Sequence, residues 1–127
     1  MIIDIHTHLG DVRSWYKDLK GAIGFGEYKV KLLINHKYSL RLYKLCEEYG
    51  IPIDNQHNYG IESVFIDIAS KYSVTVFMMH GPGWWRHISS KPGCEAYPRG
   101  MVKPGGLIER ILDKFDNVYA DISTTSG

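Results

Sequence analysis

The shortages in this chain are the first guide to what it is. Cysteine is scarce: Cys46 and Cys94 are the two, and they stand far apart in unrelated contexts. A disulfide-stapled extracellular scaffold needs a denser set, so reduced thiols are expected, with Cys46 on the apolar stripe of a helix and hence in the core. An excess of one charge is also lacking. The chain has 15 Lys and Arg against 14 Asp and Glu, a formal net charge of +1, which offers no electrostatic grip on nucleic acid, an anionic membrane or an acidic partner. No apolar run reaches the roughly 20 residues of a membrane span. Asp4 interrupts the N-terminal apolar run too early for a signal peptide. There is no internal repeat and no low-complexity tract. What remains is the mixture of one globular domain of 127 residues, 44% hydrophobic and 23% charged, for which a cytoplasmic protein without a membrane partner is the expectation.

What is present is an alternation of strand and helix signals. A first strand runs from about Ile2 to His8. A second strand-like segment, Ala22 to Val30, is softened by glycines that mark close backbone approach. A helix follows from about Tyr38 to Tyr49, with Leu42, Leu45, Cys46 and Tyr49 at helical spacing; Gly50 is placed to stop it and Pro52 forbids its continuation. Ile51 and Ile53 open a third strand toward His57. Ile61, Val64, Phe65, Ile68, Ala69 and Tyr72 form a helical stripe. Val74 to Met79 is a near-continuous apolar strand ending at His80, the pattern of a strand buried on both faces. Leu107, Ile108, Ile111, Leu112 and Phe115 mark another helix, and Val118 to Ile122 a last strand. Alternation of this kind predicts a parallel α/β sheet of about five strands with helices packed outside.

The chemistry-bearing residues sit at the C-terminal ends of these strands, where parallel α/β folds build their sites. His6 and His8 are two apart on a strand, so they project to one face and can grip a single divalent metal ion. Glu27, His57, His80 and Asp121 lie at or near further strand ends. Such ligands around a metal with an open position support Lewis-acid chemistry on a small-molecule substrate. His36 and His87 carry no motif and are expected to be exposed to solvent. The stretch Gly81 to Gly106, with Trp84, Trp85 and Arg86, follows His80 directly. It is placed either to cover the site or to plug the sheet.

Four segments carry a resemblance: Ile3-Asp4-Ile5-His6-Thr7-His8-Leu9, Gly24-Phe25-Gly26-Glu27-Tyr28, Gly50-Ile51-Pro52-Ile53 followed by His57, and Phe77-Met78-Met79-His80-Gly81. In content and order they resemble the amidohydrolase-related family of metal-dependent TIM-barrel hydrolases. The resemblance implies that His6, His8 and His57 bind a divalent metal, zinc by preference. His80 would join the metal or act in catalysis. Glu27 is either a metal ligand, as in relatives where a Glu bridges two ions, or a buried carboxylate held by backbone, Lys29 or Lys31. Asp121 is a candidate general base or a structural residue at the same rim. The implied activity is attack of a metal-activated water on an amide, ester or related bond, or a decarboxylation.

The departures shape the expectation further. A full (β/α)₈ barrel takes about 250 residues, and the interval between His8 and Gly24 is too short for two strand–helix units, since one crossover needs about a dozen residues. Strands 2, 3 and 8 of the family pattern are missing, so a truncated barrel is expected, completed by a second copy of the chain or left incomplete. Gln56 stands in the slot where the family has its histidine, and His57 comes one later. Two other readings stay open: a non-catalytic remnant that binds metal or a partner chain, and a TatD-type metal-dependent nuclease, against which stands the absence of a basic patch.

Overall fold

The computed structural model describes residues 24–29, 32–56, 63–95 and 97–122. The expected first strand therefore lies outside the described residues. Within them the chain alternates as β1 (Phe25–Tyr28), α1 (Lys37–Tyr49), β2 (Ile53–Asn55), α2 (Ser63–Lys71), β3 (Phe77–Met79), α3 (Pro82–Trp85), α4 (Leu107–Lys114) and β4 (Val118–Ala120). The four strands form one parallel sheet in strict sequence order, β1-β2-β3-β4. Crossovers between parallel neighbours are right-handed almost without exception. With no reversal of strand order, they carry the connecting helices to one face. The side chain of Phe77 reports this directly: its ring meets Tyr43 of α1 at 5.3 Å and Phe65 of α2 at 5.5 Å, both edge-on.

Local chemistry explains the elements. His36 caps α1, its Nδ1 accepting the Tyr38 N–H at 3.3 Å, in the manner of a side-chain acceptor satisfying an orphan amide. Gly50 closes the helix in the left-handed region (φ 64°), which costs a residue without Cβ nothing. The N–H groups of Gly50 and Ile51 then return to the carbonyls of Glu47 (3.2 Å) and Cys46 (3.0 Å). The buried stripe of α1 is Ser39, Leu42, Tyr43 and Cys46, rotated from the expected Leu42, Leu45, Cys46 and Tyr49. Tyr49 is exposed, and Ser39 takes an inward position because its hydroxyl meets the Tyr28 hydroxyl at 3.0 Å and donates to the Leu33 carbonyl at 3.1 Å. In α2, Phe65, Ile68 and Ala69 are buried as the stripe predicts, and Ile108 and Ile111 serve α4. Asn117 ties the start of β4 to the end of α2. Its Nδ2 lies within hydrogen-bond reach of the carbonyls of Ala69 (3.3 Å), Tyr72 (3.1 Å) and Thr75 (3.0 Å).

The core is a single cluster on the helix side, and its centre is aromatic: Tyr28, Tyr43, Phe65, Tyr72, Phe77 and Trp84. Burial pushes the Tyr43 phenol well above its ordinary pKa and the Cys46 thiol up to about 12. The strand at Val74 to Met79 departs from expectation. It begins at Phe77, Val74 is 72% exposed, and Val76 and Met78 are half-buried while Phe77 and Met79 are fully covered. Among the described residues it is thus buried on one face only. No helix among the described residues is long and apolar enough to cross a membrane.

Candidate metal centre at the sheet rim

Side chains alternate across a strand, so β2 to β4 sort into two sets. Ile53, Phe77 and Val118 form one register row and Asn55, Met79 and Ala120 another, both on the helix side. Asp54, Met78 and Tyr119 form the row between, on the opposite face. One step past the strand ends, Gln56, His80 and Asp121 return to that opposite face. The backbone ladder extends to hold them there. Gln56 N–H donates to Tyr28 O (3.3 Å), His80 N–H to Asn55 O (3.1 Å) and Asp121 N–H to Met79 O (2.9 Å).

β1 contributes through an irregularity. Phe25 pairs with Ile53 and Tyr28 with Asn55, so three steps on β1 match two on β2. An extra residue in one strand is a bulge, and it re-aims the side chains around it. Phe25 and Tyr28 both turn into the core, and Glu27 between them turns to the rim. Gly26 permits the approach: a Cβ there would sit 2.5 Å from the Cβ of Asp54. For Gly26, the close backbone approach expected of this segment's glycines has this physical cause.

His80 is the hub. It is 4% exposed and flanked by carboxylates on both ring nitrogens. Nε2 lies 3.0 Å from Glu27 Oε1, while Nδ1 faces Asp121 Oδ2 at 3.3 Å and Asp54 Oδ1 at 3.5 Å. The two sides differ in kind. The Glu27 contact has an ordinary hydrogen-bond length, and a proton on Nε2 satisfies it. The Nδ1 distances are long against the roughly 2.7–2.9 Å of a charge-assisted N–H···O bond. The 3.3 Å contact with Asp121 is a long hydrogen bond, and it is also the separation of two ligand atoms on one ion, since two bonds of about 2.0–2.1 Å at a tetrahedral angle set them about 3.3–3.4 Å apart. Ligand atoms of Asp54, His80 and Asp121 all lie within 4.8 Å of one another. Two carboxylates and a neutral imidazole suit zinc or a similar divalent ion. The carboxylate on the second ring nitrogen is the companion that usually orients a metal-binding histidine.

The structure therefore brings together Glu27, His80 and Asp121 from three strands. Glu27 also has Lys29 Nζ at 3.9 Å, a solvent-exposed ammonium. His6, His8 and His57 lie outside the described residues. Asp54 was missed by the sequence reading. The signal was available, since a carboxylate between Ile53 and Asn55 interrupts an otherwise buried strand. Gln56, treated only as a displaced histidine slot, shares the row of His80 and Asp121. It is 8% exposed, packs against Gly81, and its Oε1 has no hydrogen-bond partner among the described residues. His36 is half-buried at the helix cap and His87 is buried, so neither is the exposed residue expected; the His87 carbonyl accepts the N–H of Ile108 in the first turn of α4 at 3.3 Å. Trp84 is a packing plug at 0% exposure against Phe65, while Trp85 is only half-buried. Compared with protein-family models, curated proteins and solved structures, the chain matches none of them.

Proposed function

We propose that the chain is a metal-dependent hydrolase of the amidohydrolase-related type, acting on an amide, ester or related bond of a small molecule, or running a decarboxylation at the same site. The observation that carries this reading is the Asp54–His80–Asp121 group at the C-terminal rim, with spacings suited to one ion. The strict strand order, with helices on one face, supports the further reading of the sheet as part of a barrel whose interior is the Asp54 face. The four motif segments support the family.

In this reading Asp54, Asp121 and His80 Nδ1 hold a divalent cation, zinc by resemblance, and Glu27 orients the imidazole through Nε2. The bound cation supplies Lewis acidity, polarising a carbonyl or a water. Asp54 is buried and acts as a fixed ligand. Asp121, with its side chain 35% exposed, is the solvent-facing carboxylate and exchanges protons with the reacting groups. Gln56 Oε1 offers a neutral acceptor to a substrate N–H or O–H beside them.

The test is metal content per chain after loading with zinc or manganese, alongside a hydrolase substrate panel. About one ion per chain is expected, lost in His80→Ala and in the Asp54→Ala, Asp121→Ala double variant. Glu27→Ala should weaken affinity about 10–100-fold, the usual effect of removing an orienting carboxylate. Metal retained in the Asp54, Asp121 double variant but lost in His6→Ala, His8→Ala moves the site away from this cluster. A chain that takes up no metal ends the reading, and metal without turnover on any substrate leaves the non-catalytic one.

A further inference from the structure

A cavity of about 420 Å³ lies in the segment that follows α3, between Trp85 and the chain from Ile88 to Lys103. None of Glu27, Asp54, His80 or Asp121 lines it. Its volume falls in the ordinary range of small-molecule sites, about 300–1,000 Å³. Its walls divide by chemistry. Trp85, Ile88 and Val102 give an apolar body, while Lys91, Arg99 and Lys103 contribute three cations against the single acid Glu95.

A second feature points the same way. Trp85 Nε1 and Arg86 Nε are buried donors with no acceptor among the described residues. Trp85 is on the wall, and the Arg86 guanidinium is moored beside it by the bond from Nη2 to the carbonyl of Gly93, another wall residue, at 3.2 Å. A buried donor without an acceptor forfeits its hydrogen bond to water with nothing in exchange. The region is thus rich in donors and positive charge and short of acceptors.

The walls are also held in place. Lys103 N–H donates to Ser89 Oγ and Ser90 N–H to Lys103 O, both at 3.0 Å, clamping the two sides of the segment together. Gly106 lies so close to the Ile88 carbonyl that no Cβ could be fitted there. A cavity fixed before its ligand arrives loses less ordering entropy on binding.

We propose that this cavity binds a small organic anion, an apolar body carrying a carboxylate or a phosphate, at a place separate from the His80 cluster. The anionic group meets Lys91, Arg99 and Lys103, and the body lies against the Trp85 indole. This proposal does not depend on the metal reading.

The test uses the whole chain and three probes: benzoate, phenyl phosphate and neutral benzyl alcohol. Binding is followed by the indole N–H resonances and by tryptophan fluorescence. At least one of the two anions should bind at least ten-fold more tightly than benzyl alcohol, and more weakly as salt rises; the tighter one assigns carboxylate or phosphate. Arg99→Ala with Lys103→Ala should cost at least ten-fold in affinity, and both are exposed positions where folding is little affected. Trp85→Phe should remove the resonance that shifts most, and His80→Ala should leave anion binding unchanged. Equal binding of all three probes, no binding at all, indifference to the Arg99, Lys103 double variant, or loss of binding in His80→Ala would each overturn the proposal.

Discussion

Along β2 and β3 the same backbone presents two unlike faces. On one, Ile53, Phe77 and Met79 are fully buried, with Tyr43 of α1 and Phe65 of α2 edge-on to Phe77. On the other, Met78 is half-buried and Tyr119 is 55% exposed; Asp54 shares their row, and His80 and Asp121 follow one step past the strand ends. The first face is close-packed and carries the stability. The second holds polar groups at fixed separations, and its carboxylates are kept on the sheet by the strong face behind them. A rigid apolar layer beneath a charged rim limits how far the groups on that rim can move.

This contrast can be broken in a graded way. Phe77→Ala should be the most damaging change, lowering unfolding free energy by about 3–5 kcal/mol in a urea titration, the usual cost of emptying a buried aromatic position. Asn117→Ala, which strips the shared donor from three carbonyls, should cost about 1–3 kcal/mol by the same measurement. Next comes alkaline pH. The Cys46 thiol is held up to about 12 against an ordinary 9.0, so the folded chain keeps a proton that the unfolded chain releases. Stability from this group is fully present below about pH 9 and falls as pH rises toward 12, with about 1 kcal/mol lost at pH 10. Denaturation followed from pH 8 to pH 10 checks it, and Cys46→Ala should flatten the dependence. A thiol reagent should correspondingly label exposed Cys94 at once and Cys46 only on unfolding. The smallest effect belongs to the open face: Tyr119→Ser should change stability by no more than about 0.5 kcal/mol. A large loss there would mean that this face is covered in the folded protein, and the two-face contrast would fail.

Much of the fold was legible because it rests on short-range rules. Gly50 and Pro52 end α1 through backbone conformation alone, and the stripe of Phe65, Ile68 and Ala69 announces α2 through its period. His80 after an apolar strand, Glu27 after a glycine-rich one and Asp121 near the end of the last strand were each placed at the rim by the rule for parallel sheets. Less legible were features that depend on pairing. The bulge in β1 is a mismatch between two strands and exists in neither alone. Val74 reads as buried and is exposed because the strand starts later than its apolar run. His87, without a motif, reads as a surface residue and is buried.

By itself, then, the sequence determined the order and kind of the elements and the parallel sheet, and it brought Glu27, His80 and Asp121 to strand ends, since periodicity, caps and crossover handedness act over a few residues. The tertiary structure decided which side chains meet. Asp54 joins His80 only because β2 and β3 pair in one register, and a slip of one residue would turn it into the core. Glu27 reaches the other ring nitrogen only because a bulge turns it, and that depends on the space Gly26 leaves beside Asp54. Trp84 became core and Trp85 the wall of a cavity through the placement of one short helix turn. Contacts of this kind are set by distances between strands far apart in the chain, which no local pattern encodes.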